Sequence, residues 1–90
     1  MNEFEQFVER VRALVHCLDN ILTPDQCARI EHLISHDEHG EALRALAWII
    51  VEERKFVPPQ VVADIRSLSD GLVDDADMPP NLDEHIIRSK

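Results

Sequence analysis

Between positions 42 and 51 only Arg44 carries a charge. A surface helix would show more polar positions than that. The run therefore has to be buried by the rest of the chain, and it sits in the most apolar helical pattern of the sequence. Residues 37–53 read as a central helix with the other helices packed round it. Asp37 suits the N-cap, because its carboxylate can accept a hydrogen bond from a free N–H of the first turn. Glu38 lies where the helix dipole favours negative charge. Gly40 falls in the first turn, where it does little harm and lets a neighbouring backbone come close.

Stepping about 100° per residue separates two faces. Ala42, Leu43, Leu46, Ile49 and Ile50 cluster on one side. Asp37, Glu41, Arg44, Glu52 and Lys55 fall on the other, and Trp48 falls among them. The only tryptophan thus lies on the polar face. Two readings follow: the C-terminal tail folds back over it, or a partner covers it. A lone tryptophan in a small domain is usually at least half buried, which favours the tail.

The remaining helices follow from periodicity and caps. Residues 2–18 carry one apolar stripe: Phe4, Phe7, Val8, Val11, Leu14, Val15 and Leu18. That stripe could fill a partner's groove, but a bundle needs it as core. Thr23-Pro24-Asp25-Gln26 is a helix start, with Thr23 as N-cap, Pro24 at the first helical position and Gln26 completing a capping box. The second helix runs to Ser35 and buries Cys27, Ile30, Leu33 and Ile34. Phe56-Val57-Pro58-Pro59 is a stiff connector. A fourth helix follows to about Asp70 with Val61, Val62, Ile65, Leu68 and Leu72 as its stripe, and Gly71 suits the C′ position. Only two glycines occur, which suits helices better than a turn-rich β fold. The expectation is all-α: a small antiparallel four-helix bundle with an acidic C-terminal tail. Residues 1–73 form the bundle. Residues 74–90 form the Pro-containing tail, docked on the bundle or extending from it, with a helical turn near residues 81–85.

Charge narrows the partners. The formal net charge is −9. Direct nucleic-acid binding needs clustered Lys and Arg, so it is not expected, and neither is an anionic membrane surface. A basic protein complements such a surface, although acidic charge also serves solubility alone. The N-terminus lacks a basic region followed by an apolar run, and no stretch has the apolar length of a membrane span. A cytoplasmic location is the simplest expectation. Cys17 and Cys27 then read as buried or partly buried thiols, not as a disulfide.

Catalytic chemistry has little support. His32, His36 and His39 would share a face on one continuous helix, and i, i+4 histidines can hold zinc. A helix break at Asp37 moves His39 off that line, and no HExxH or finger spacing is present. They read as surface histidines at a helix end. His85 stands alone. The carboxylates lack the cleft that catalysis needs, no nucleophile motif surrounds any serine or cysteine, and no glycine-rich phosphate loop exists. No cofactor and no metal are expected, and an enzyme is the least supported class. Asp74, Asp75, Asp77, Asp83 and Glu84 read as a solvated charge run or an acidic contact tail.

The stretch His36-Asp37-Glu38-His39-Gly40-Glu41-Ala42-Leu43, with Leu46 and Glu52-Glu53, resembles the core of the MafI-type immunity proteins. The similarity covers residues 30–53 and is generic elsewhere. It implies a small helical cytoplasmic bacterial protein that binds and neutralises a cognate toxin domain, as in contact-dependent growth inhibition. The toxin would be a nuclease, for example an EndoU-type ribonuclease. The resemblance carries no catalytic residue. Nuclease toxins must bind phosphates and tend to be basic, so an acidic inhibitor would be steered to them. The toxin-binding residues expected on this reading are Asp37, Glu38, Glu41, Arg44, Trp48 and Glu52. The alternative class is an acidic helical adaptor or regulatory subunit with a non-toxin partner.

Overall fold

A computed structural model of the chain describes residues 2–87. It is an all-α four-helix bundle, with α1 Glu3–Cys17, α2 Pro24–Ser35, α3 His39–Glu52 and α4 Pro59–Ser69. Among the described residues there is no strand, only one isolated parallel bridge between Val57 and Ile86. The helices pack in chain order, and α1 closes the bundle against α4. Among the described residues no helix is long and apolar enough to cross a membrane. The last three tail positions, 88–90, lie outside the described residues.

Local chemistry explains the first two helix starts. Asn2 caps α1, its Oδ1 accepting from the Glu5 N–H at 2.8 Å. At α2 the capping box is complete: Thr23 Oγ1 accepts from Gln26 N–H at 3.1 Å, and Gln26 Oε1 accepts from Thr23 N–H at 3.0 Å. The Gln26 amide also donates to Glu53 Oε1 at 3.2 Å, tying the start of α2 to the end of α3.

The corner before α3 differs from the expectation. Asp37 is not the N-cap. Its φ is +59°, in the left-handed region. Glu38 N–H donates to Leu33 O at 2.8 Å and Asp37 N–H to Ile34 O at 3.1 Å. This pair of bonds is a Schellman motif closing α2, with Asp37 at C′. Aspartate is among the few non-glycine types that visit this region readily. Hence α3 starts at His39 behind Glu38, which makes no side-chain cap. The same device ends α3: Arg54 has φ +53°, Lys55 N–H donates to Ile50 O at 2.9 Å and Arg54 N–H to Val51 O at 3.2 Å. Gly71 takes the C′ position after α4 with φ +81°.

The core runs through all four helices. Leu18, Ile30, Leu43, Leu46, Ile50 and Ile65 are fully buried. Ala47 joins them, while Ile49 is only partly buried. The tail is part of the same core through Met78 and Leu82, and so is Val57 in the connector. Two 3-10 turns, Asp75–Asp77 and Leu82–His85, shape it. The second packs on α3. Its end is pinned to the connector: Val57 N–H donates to His85 O at 2.9 Å, Ile87 N–H to Val57 O at 2.8 Å, and His85 Nδ1 donates to Lys55 O at 2.9 Å. Lys55 Nζ in turn donates to Ile21 O at 2.8 Å, holding the α1–α2 loop.

Gly40 does meet a neighbouring backbone. A Cβ there would lie 3.4 Å from Leu72 O and 3.7 Å from Val73 Cγ2, ordinary contact distances. The approach therefore leaves room for one methyl group. Gly40→Ala is expected to raise stability by about 0.5 kcal/mol, since it restricts the unfolded chain and favours helix. Urea denaturation checks the sign. A loss of stability would mean that the Leu72 backbone needs a bare Cα.

Candidate functional site

Glu41, Arg44, Trp48 and Glu52 lie along one line of α3, spaced three to four residues apart. Two shallow grooves flank that line. On one side α2 supplies the wall through Arg29 and Leu33, facing Glu41, Arg44, Trp48 and Glu52. On the other side the loop after α4 supplies it. There Leu72, Val73, Asp74 and Asp77 face Asp37, Glu38, Glu41 and Arg44. Glu41 and Arg44 line both grooves, so all six sequence-selected residues border one continuous face.

Trp48 is half-buried. Its Nε1–H donates to Asp77 O at 2.7 Å, so the tail satisfies the polar edge of the ring. The contact comes from the first tail turn, Asp75–Asp77, upstream of the tail's apolar residues Leu82 and Ile86. Leu82 is instead buried in the core, and Ile86 pairs with Val57. The ring is thus held on one edge and still borders solvent. Arg44 Nη1 lies 3.5 Å from Glu41 Oε2, with both side chains about half exposed. Such an exposed i,i+3 pair contributes only about 0.3–0.5 kcal/mol, so Arg44 can exchange partners at little cost.

The tail's acidic residues divide. Asp74 and Asp77 join the Trp48 face. Asp83 is committed to Arg66, with Oδ1 3.1 Å from Nη2, and Glu84 lies beside Phe56 and Ile87. Reading the chain in order could not pair Asp77 with Trp48, because 29 residues separate them.

The three histidines diverge. His32 and His36 are exposed neighbours with ring centroids 4.2 Å apart, and His36 Nδ1 donates to His32 O at 2.8 Å. His39 is no surface histidine. It is only 6% exposed, with its ring met edge-on by Phe4 at 5.5 Å and Phe7 at 5.6 Å. Among the described residues no three His, Cys, Asp or Glu side chains are grouped to hold a metal ion. His85, silent in the sequence, is buried and stacks on Phe56 at 5.3 Å. Both cysteines are free thiols; Cys27 is partly buried, whereas Cys17 is exposed, contrary to the expectation of burial.

No family model, curated protein or solved structure matches the chain. What the face can do is set by its composition: a half-covered indole and the methylenes of Arg44, surrounded by carboxylates that reach water. That composition suits contact with a basic protein surface.

Proposed function

We propose that this chain is an immunity protein that binds and neutralises a cognate bacterial toxin domain, a basic nuclease such as an EndoU-type ribonuclease. One observation carries the choice of face. The fold brings Asp74 and Asp77 from the tail beside Asp37, Glu38 and Glu41, and so concentrates negative charge around Trp48. The resemblance of residues 30–53 to MafI-type immunity proteins supplies the toxin as partner. On this reading the chain is a binding protein with no reaction of its own, working in the cytoplasm where the toxin arrives. Its carboxylates steer the basic domain in, and Trp48 anchors the complex. Bound there, it covers the nuclease surface that phosphates would occupy.

The direct test is co-expression with a candidate toxin domain, sought first among the genes adjoining this one. Cells carrying both are expected to grow, and cells carrying the toxin alone to arrest. Continued arrest in the presence of abundant folded protein would end the reading.

Steering also has a kinetic signature. Raising salt from about 0.05 to 0.5 M shortens the Debye length from roughly 14 to 4 Å. The association rate is expected to fall at least about tenfold over that range, with a much smaller change in dissociation. Stopped-flow mixing of the two proteins measures both. A salt-independent association rate would leave the acidic face with a solubility role only.

A further inference from the structure

The core absorbs only part of the α1 stripe. Val11, Leu14 and Val15 are buried, but Phe4 at the same helix's start is 57% exposed. Leu72, last of the α4 stripe, is 54% exposed. Both border a depression of about 520 Å³ between α1, the start of α3 and the end of α4. A second depression of about 370 Å³ continues between α1 and α4 as far as Cys17 and Pro58. The two share Arg10 and Leu68, so they form one groove along α1.

We propose that this groove is a docking site for a lysine-rich amphipathic helix of a partner protein. It runs between α1 and α4, adjoins the Trp48 face only at its α3 end, where Asp37 and Leu72 border both, and does not depend on the toxin reading.

Length selects a helix. From Phe4 to Cys17 the groove follows thirteen helical steps, roughly 20 Å at 1.5 Å each. That is far longer than one side chain and matches three to four turns of a partner helix. The floor is apolar, made by Leu14, Val61 and Leu68. An amphipathic helix lays apolar side chains at i, i+3, i+4 and i+7 into such a floor.

Charge selects lysine. Asp37, Asp64 and Asp70 stand along the walls, and Arg10 is the one cation among the lining residues. Asp64 accepts one hydrogen bond from the Gln60 amide at 2.8 Å and keeps further acceptor capacity. Lysines flanking the apolar stripe of the incoming helix would meet these carboxylates. A second copy of this chain is disfavoured as occupant, because each copy brings a net charge of −9.

The test uses the intact protein and a synthetic lysine–leucine peptide of about 14 residues with leucines at i, i+3, i+4 and i+7 spacing. Amide chemical shifts are followed during titration, with a scrambled peptide of equal composition alongside. Saturable shifts are expected in α1 and α4, and none of similar size with the scrambled peptide. Ala13→Arg puts a bulky cation on an exposed groove position while keeping a good helix former. It is expected to weaken the peptide's Kd at least about tenfold. Phe4→Ser, judged by its own titration, gives an independent check at the other end. Shifts confined to the Trp48 face, equal binding of the scrambled peptide, or unchanged affinity of both variants would overturn the proposal. So would a peptide-free dimer that buries this groove.

Discussion

Leu82→Ala is expected to destabilise the domain by roughly 2–5 kcal/mol, as much as Leu46→Ala at the centre of α3. Leu82 is 0% exposed and Leu46 is 1% exposed. Removing three heavy atoms from either site forfeits their transfer free energy and leaves a cavity the close-packed surroundings only partly fill. A domain of this size has about 5–15 kcal/mol in total, so the loss is a large fraction of it. The melting temperature should drop by roughly 10–30 °C. Leu82 lies far along a segment whose composition is that of a solvated tail. Its burial depends on the Leu82–His85 turn packing on α3, and on the bridge that holds Ile86 beside Val57. Equilibrium urea unfolding gives the number. A change within about 0.5 kcal/mol, typical of an exposed site, would show that the tail leaves the core intact when it detaches.

The contrast between Leu46 and Leu82 shows what a linear reading can and cannot reach. Leu46 is marked by its neighbours three and four residues away, and the Thr23 capping box is complete within four residues. Both features are local, and both are in the fold as read. Leu82, Val57 and His85 acquire their places from pairings about thirty residues apart, which no window of sequence contains. Asp37 failed for a different reason. Aspartate serves both as an N-cap and as a left-handed C′ residue. The choice was made by the Glu38 N–H, which reaches back to Leu33 O and closes α2 first. Arg54 repeats the geometry with a residue type that gives no hint of it. His39 went inside because α1 brings Phe4 and Phe7 over it. The candidate face was half legible in the same sense. The α3 positions share one line by helical period, whereas Asp74 and Asp77 reach it only through the turn at Gly71 and the path of the tail.

Trp48 stands where these two kinds of information meet, and Trp48→Ala is expected to affect both stability and binding. The ring is half-buried, so truncation forfeits less than the 3–5 kcal/mol typical of a core tryptophan; roughly 2 kcal/mol is expected. The lost hydrogen bond from Nε1 to Asp77 O accounts for about 0.5–1.5 kcal/mol of that, because the freed carbonyl can turn to water. Trp48→Phe isolates this share: it removes the N–H and keeps most of the apolar ring. On the binding side, an aromatic anchor ringed by charge has the composition of an interface hot spot. On the proposed immunity function, Trp48→Ala should weaken binding of the toxin domain by about 2 kcal/mol or more, roughly 30-fold in Kd, when measured on the folded fraction. Trp48→Phe should lose much less affinity than that, since the pocket-filling surface stays. Calorimetric titration of both variants against the toxin domain, beside their urea melts, separates the two roles. A stability loss with unchanged affinity would take Trp48 out of the binding face and leave it as the post to which the tail is tied.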